Sequence, residues 1–233
     1  MKIIFTHYYY YYYYYYYIEQ DTDVMWVRNP FPKLSKDETE DLQISTDHFN
    51  GNPWSASNPI NTGFYFIRSN NRTISLFHKW YSMRNDTSGQ KEQDVLVNLI
   101  RAGVIPQLNL KVRFLNTLFF SGFCQRSNDF NQVSTVHANC CRTIVAKIGD
   151  LRATLGDWKR FRTSTNSSEI FWWSDHVRCK RSWKHWRIKM NRHGVGGSGE
   201  LNRWIFRAFL EQSQTRGRDW IYKIIEVYNY LIN

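Results

Sequence analysis

The sequence predicts one folded domain of the α/β class, and three observations support this prediction. Short runs rich in β-branched and aromatic residues alternate along the chain with segments of helical periodicity. The length of 233 residues suits one domain of ordinary size, or one domain with a tail. A hydrophobic share of 42% supplies enough apolar side chains for a core, which excludes wholesale disorder.

The individual elements follow from local patterns. Strands are predicted over residues 42–46, 63–67, 112–115 and 133–136. A first helix is predicted over residues 71–84, where apolar residues recur three or four positions apart at Ile74, Phe77, Trp80 and Tyr81. A second is predicted over residues 93–102, ending at Gly103, a common helix stop. A third is predicted over residues 143–161, with a core face formed by Ile144, Ile148, Leu151, Leu155 and Trp158.

Composition divides the chain into three parts. Ten consecutive tyrosines, Tyr8 to Tyr17, give no distinction between faces, so residues 1–17 are interpreted as a low-complexity segment. A strand is predicted to run from its end through Ile18, because tyrosine has a high β propensity. Residues 18–162 form the predicted domain. Residues 163–233 form a basic, Trp-rich extension of unknown role, in which two amphipathic helices are predicted.

The extension contributes strongly to the net charge of +11. Seven cations lie among residues 178–192, interleaved with Trp183, His185 and Trp186, a combination that suits nucleic-acid binding. A solvated basic tail explains the same pattern and is favoured here, because charge runs usually face solvent. We expect residues 164–233 not to pack in the core of residues 18–162. Limited proteolysis should then cut between residues 163 and 168.

The first candidate for chemistry is Asp21-Thr22-Asp23, at the end of the strand predicted through Ile18. Two carboxylates one residue apart can converge on a divalent cation such as Mn²⁺ or Mg²⁺, which also accepts diphosphate oxygens. Such a cation neutralises the charge that builds on a departing diphosphate. Asp-x-Asp is a short motif, so its context decides the interpretation.

That context resembles the plant nucleotide-diphospho-sugar transferase family, a group that includes cell-wall xylosyl- and arabinosyltransferases. The resemblance begins at Asp21-Thr22-Asp23 and includes His137-Ala138-Asn139-Cys140-Cys141. It extends in one order over residues 21–31, 46–53, 61–64, 69–73, 93–96, 120–124, 136–141, 150–152 and 157–159. It implies part of a GT-A, Rossmann-like fold, with a mostly parallel sheet, flanking helices and ligands bound at the carboxyl ends of strands.

The resemblance also implies roles for individual residues. Asp21 and Asp23 would bind Mn²⁺ (or Mg²⁺) together with His137, and would contact the donor nucleotide. Read by itself, His137 is more often a structural hydrogen-bonding residue. Gln93 and Asp94 would hold the transferred sugar as the catalytic pair, although an acidic residue at the start of a helix also stabilises that helix.

Three further residues are assigned to donor binding by the same resemblance. Asp47, with the neighbouring His48, would contact donor or acceptor; an Asp turn is the equally weighted alternative. Asn61 and Gly63 would bring the backbone close to the sugar, where a residue without Cβ fits.

The implied function is metal-dependent transfer of a sugar from a nucleotide-diphosphate donor to a cell-wall polysaccharide or glycoprotein acceptor. A catalytically inactive relative is the alternative within this class, and a nucleic-acid-binding protein is the alternative outside it. Only twenty residues precede Asp21, so we expect the nucleotide-side half of the domain to be truncated. Weak Mn²⁺ binding without measurable sugar transfer is then expected from this chain.

The resemblance implies a Golgi enzyme, although no secretory signal or transmembrane helix is visible in the sequence. Sequons at Asn71, Asn85 and Asn166 suit a luminal protein. The four cysteines lack zinc-ligand spacing. Cys124 can pair with Cys140 or Cys141, whereas these two neighbours are awkward partners for each other.

Overall fold

A computed structural model describes residues 2–6, 16–83, 90–166 and 168–183. It confirms the α/β class, with two small sheets and flanking helices consistent with a partial GT-A-like fold. The predicted strand through Ile18 is present. Most of the tyrosine run, and the part of the basic extension after residue 183, lie outside the described residues.

The described residues contain eight strands in two sheets. The strands are β1 (Lys2–Thr6), β2 (Tyr16–Asp21), β3 (Val24–Trp26), β4 (Leu42–Thr46), β5 (Ile60–Arg68), β6 (Val112–Phe114), β7 (Phe120–Gly122) and β8 (Thr135–His137). The larger sheet has the order β1-β2-β5-β4-β6, and the smaller has the order β3-β8-β7. Because β2 and β3 are separated by two residues, the chain passes directly from one sheet to the other at Asp21.

The strand directions correct the prediction of a mostly parallel sheet. Strand β5 is antiparallel to both of its neighbours, and β3 is antiparallel to β8. Only the pairs β4–β6 and β7–β8 are parallel among the described strands. The reason is the connection from β4 to β5, a loop over residues 47–59 without the crossover helix that joins parallel neighbours.

Helical structure is described over residues 177–183. Besides this stretch the described residues contain four α-helices, of which the first, second and fourth lie close to the predicted positions and the third was not predicted. They are α1 (Asn71–Ser82), α2 (Glu92–Arg101), α3 (Val104–Gln107) and α4 (Ile144–Thr163). Side-chain caps begin α1 and α4, where Asn70 accepts hydrogen bonds from the amides of residues 72 and 73 and Thr143 accepts one from that of Ala146. Gly103 ends the turn after α2 with a φ of 84°, which only glycine adopts without strain.

The core lies on both faces of β5. On one face, Tyr65 and Ile67 pack with Leu76 of α1 and Leu96 of α2. On the other face, Phe64 packs in a second cluster with Ile18, Leu34, Leu115 and Phe120. Strand β5 is therefore fixed from both sides, and residues at its N-terminal end have well-defined positions.

Helix α4 presents only part of its predicted core face to the protein, since Trp158 is buried and Leu151 packs against a core cluster. Ile144 and Ile148 are 75% and 46% exposed, whereas Asp150, Thr154 and Asp157 are buried. The physical reason is hydrogen bonding, because both buried carboxylates accept bonds from the chain that follows the helix. The amide of Cys179 donates to Asp150 at 2.7 Å, and the amide and hydroxyl of Ser174 donate to Asp157 at 2.5 and 2.9 Å.

The segment of residues 168–183 packs on the domain, contrary to the expectation that packing ends at residue 163. Trp173 donates a 2.8 Å hydrogen bond to the carbonyl of Ser127 and stacks on Phe130. Cys179 is fully buried in the cluster that contains Val133 and Val136. The Asp150 and Asp157 bonds described above anchor the same segment. The change in composition at residue 163 therefore does not mark the end of the folded domain.

Two disulfide bonds reinforce this arrangement. Cys124 pairs with Cys140, and Cys141 pairs with Cys179. The adjacent Cys140 and Cys141 therefore crosslink to different parts of the chain. Cys140 is joined to the loop after β7, and Cys141 to the segment of residues 168–183, called the C-terminal segment below. The open choice between Cys140 and Cys141 as the partner of Cys124 is resolved in favour of Cys140, which has a positive φ of 51°.

Candidate metal centre

Strand pairing brings two acidic residues and a histidine together. Asp21 ends β2, and Asp23 directly precedes β3. Strand β3 runs antiparallel to β8, and Val24 is the register partner of His137. The amide of Ala138 donates a 3.0 Å hydrogen bond to the carbonyl of Asp23, which continues the pairing past the end of the strand. A separation of more than 110 residues in sequence thus becomes direct proximity.

The three side chains form a cluster that suits a divalent cation. His137 Nε2 lies 3.5 Å from Asp23 Oδ1 and 3.9 Å from Asp21 Oδ2. One ligand atom from each residue lies within 4.8 Å of the others. Two carboxylate oxygens and one imidazole nitrogen fit the ligand preferences of Mn²⁺ well, and the oxygens fit Mg²⁺. The sequence-predicted ligands Asp21, Asp23 and His137 are therefore in one place.

A lysine that sequence reasoning did not single out completes the cluster. Lys147, in the first turns of α4, places its Nζ 2.5 Å from Asp23 Oδ2. Burial alone would raise the pKa of Asp23, but the bonds to His137 and Lys147 outweigh burial and hold that pKa well below its usual range. Asp23 is consequently ionised at neutral pH, which is the form in which a carboxylate can bind a cation.

Gly63 provides the space that the imidazole of His137 occupies. A Cβ added at Gly63 would lie 2.2 Å from His137 Cε1 and 2.7 Å from Asn61 Oδ1. Contacts this short cannot be accommodated without moving the ring. Gly63 was predicted to let the backbone approach a sugar. The structure shows that it lies close to the imidazole of His137, a candidate metal ligand.

We therefore expect Gly63→Ala to displace the imidazole and to weaken Mn²⁺ binding by at least about tenfold, as loss of ligand positioning usually does. Gly156→Ala is the matched control, since a Cβ at that helical position meets nothing within 4 Å. Calorimetric titration with Mn²⁺ measures both. Equal affinities for the two variants would show that His137 does not need the space at Gly63.

Asp47 and Asn61 form a network beside the cluster. Asp47 Oδ1 accepts hydrogen bonds from the amide groups of Asn61 at 2.7 Å and Asn139 at 2.8 Å. Asn61 Oδ1 in turn accepts from the amide of Gly63 at 2.7 Å. Asn139 Oδ1 accepts from the amide of Cys124 at 3.0 Å. Asp47 therefore connects the start of β5 with the loop that follows His137.

The predicted catalytic pair lies at the start of α2. Gln93 Oε1 accepts from the amide of Thr62 at 3.2 Å, which places this side chain next to Gly63. Asp94 is exposed, and its Oδ2 accepts from the amide of Lys91 at 3.0 Å. This bond caps the helix, as the alternative interpretation of Asp94 requires. A contact between Asp94 and a sugar remains a proposal.

Two neighbours of the candidate site, Lys147 and Asn139, were not singled out from the sequence. Asn139 lies in residues 136–141, one of the stretches that resemble the family. This motif could have pointed to Asn139, but no role was assigned to it. Lys147 had no such signal, because the predicted apolar face of α4 gave no reason to place its ammonium at the acidic motif.

The basic stretch predicted over residues 178–192 is described only up to residue 183. Within that part, the exposed Arg178 and Lys180 lie 3.6 and 2.5 Å from Asp150 and Asp175, respectively. Arg181 is also described and exposed, and the other four cations of the stretch lie outside the described residues. Among the residues described, no helix is long and apolar enough to cross a membrane.

The fold and the three-ligand cluster together define an α/β domain with a candidate divalent-cation centre. The sequence profile of the family described as nucleotide-diphospho-sugar transferase matches residues 15–151, which is more than half of the chain. The chain therefore belongs to that family, which confirms the assignment made from the motifs.

Three curated relatives from Arabidopsis thaliana are similar to the chain. An uncharacterized protein is 53% identical over 163 residues, covering 70% of this chain and 47% of its own length. A second uncharacterized protein is 39% identical over 162 residues, covering 69% and 43%. Beta-arabinofuranosyltransferase RAY1 is 34% identical over 112 residues, covering 43% and 21%. The chain spans less than half the length of each relative. No solved structure matches it significantly.

Proposed function

We propose that this chain carries the metal-binding part of a glycosyltransferase that moves a sugar from a nucleotide-diphosphate donor to a glycan or glycoprotein acceptor. Membership of the nucleotide-diphospho-sugar transferase family supports glycosyl transfer in general. The observation that carries the finer proposal is the convergence of Asp21, Asp23 and His137 within 4.8 Å. Such a set can hold the cation that a departing diphosphate requires.

In this proposal each residue has a distinct task. Asp21, Asp23 and His137 hold Mn²⁺ (or Mg²⁺), which supplies charge neutralisation for the diphosphate. Asp47 and Asn61 orient the start of β5 and the loop after His137, so that the ligands keep their spacing. Gln93 and Asp94 contact the sugar from the start of α2, a role supported by the position of Gln93 beside Thr62.

The compartment and the acceptor belong to the same proposal. Disulfide bonds persist in oxidising compartments, and all four cysteines of this chain are paired. The relative named as an arabinofuranosyltransferase is a plant enzyme, which supports a secretory-pathway location. We infer a Golgi protein that acts on a cell-wall polysaccharide or glycoprotein.

Donor binding tests this proposal directly. Calorimetric titration of the full chain with a panel of nucleotide sugars, with and without Mn²⁺, should reveal weak binding that depends on Mn²⁺ and is lost in Asp21→Ala. Binding that is indifferent to both Mn²⁺ and Asp21→Ala would contradict the proposed site. Radiolabelled donors in the same panel test turnover. Binding without turnover would fit a catalytically inactive relative.

A further inference from the structure

The two oxygens of the Asp23 carboxylate contact different neighbours. Its Oδ1 faces His137 Nε2 at 3.5 Å, on the side where a cation would be shared with Asp21. Its Oδ2 accepts a 2.5 Å hydrogen bond from the ammonium of Lys147. The Asp23 side chain is only 15% exposed, so the lysine contact is shielded from solvent and electrostatically significant.

We propose that Lys147 makes the metal centre select a divalent cation carrying a diphosphate over the bare cation. The inference rests on the proposed function, because it concerns the same cluster. Lys147 has this effect by occupying one oxygen of Asp23 with a hydrogen bond and by adding a positive charge to the site. It is a specificity-determining residue of the site.

Charge bookkeeping gives the first reason. Asp21 and Asp23 contribute two negative charges and Lys147 contributes one positive charge, so these three side chains have a formal charge of −1 together. A divalent cation changes this sum to +1, which attracts an anionic diphosphate. Without the lysine the two carboxylates and the cation would sum to zero. The site would then hold the bare cation more tightly and attract the diphosphate less.

Coordination gives the second reason. A carboxylate can bind a cation through one oxygen or through both. Because Oδ2 of Asp23 is bonded to Lys147, Asp23 offers one oxygen to the cation and leaves coordination positions for oxygens from the ligand. An ammonium has three donor hydrogens, so Lys147 can keep its bond to Asp23 while it donates to a phosphate oxygen. Its side chain is 28% exposed, which leaves room for that second bond.

The test compares two probes on the full chain, Mn²⁺ alone and the preformed Mn²⁺–pyrophosphate complex, by calorimetric titration. We expect Lys147→Met to bind Mn²⁺ about tenfold more tightly and the pyrophosphate complex about tenfold more weakly, each about 1.4 kcal/mol. Lys147→Arg keeps the charge and should retain the wild-type preference. The opposed changes distinguish this role from a structural one, because a misfolded variant would bind both probes less well.

Two results would overturn the inference while leaving the proposed function intact. Both require that the wild-type protein binds Mn²⁺. In the first, Lys147→Met weakens the binding of both probes, and in the second it changes the binding of neither. Wild-type protein that binds neither probe would overturn the metal centre itself, and with it both the inference and the metal-dependent part of the proposed function.

Discussion

Replacing Asp23 by asparagine should reduce the affinity of the chain for Mn²⁺ by at least about a hundredfold, because even the loss of an outer-shell partner of a metal ligand costs 10–100-fold. The substitution preserves the shape of the side chain and removes the charge. It also breaks the ion pair with Lys147, whose ammonium then repels the cation. Calorimetric titration, or the electron paramagnetic resonance signal of free Mn²⁺, measures the loss.

Asp37→Asn is the matched control for this prediction. Asp37 also pairs with a lysine, since Lys111 Nζ lies 2.7 Å from its Oδ2, but this pair is exposed and does not belong to the cluster. We expect its Mn²⁺ affinity to equal that of the wild type. If both variants lost binding to the same extent, Mn²⁺ would be responding to overall charge and not to the geometry of Asp21, Asp23 and His137.

Removing the disulfide between Cys141 and Cys179 with a double alanine variant should destabilise the chain by about 4 kcal/mol. This magnitude follows from the chain-entropy estimate for the observed sequence separation of 38 residues. The segment of residues 168–183 would then be held only by its noncovalent contacts. We expect the cleavage rate in limited proteolysis between residues 163 and 168 to rise at least about tenfold. Denaturant unfolding gives the stability change.

The double alanine variant of Cys124 and Cys140 controls for general loss of a crosslink. Its loop is shorter, with a separation of 16 residues, and the same estimate gives about 3 kcal/mol. This bond does not touch the C-terminal segment, so proteolysis between residues 163 and 168 should change much less. Equal acceleration in both variants would mean that cleavage reports global unfolding and that the segment is not separately anchored.

The three longer helices and five of the eight described strands were predictable, whereas β1, β3, β7, α3, the strand directions and the orientation of α4 were not. Local periodicity and caps located α1, α2 and α4 within a few residues, because these signals are encoded near each element. The antiparallel direction of β5 depends on how the loop of residues 47–59 returns the chain. The orientation of α4 depends on the buried partners of Asp150 and Asp157, which lie 17 to 29 residues further along the chain.

The same distinction applies to the candidate metal centre. The motifs around Asp21, Asp23 and His137 identified the residues, because family-like stretches surround them. Lys147 could not be identified, because its contact depends on where α4 begins relative to β3, and that relation is three-dimensional. The spatial relation between Gly63 and His137 was hidden for the same reason.

The adjacent cysteines have a consequence for how the protein matures. Four cysteines allow three pairings, and a bond between Cys140 and Cys141 is disfavoured by geometry. Two pairings then compete during oxidative folding, and they differ only in which of the neighbours joins Cys124. The incorrect one would shift the crosslinks by one residue in the stretch that connects His137 to Lys147. We therefore expect correct formation of the candidate metal centre to require thiol–disulfide exchange, which a disulfide isomerase accelerates, and to fail in a reducing expression host, where the two bonds do not form.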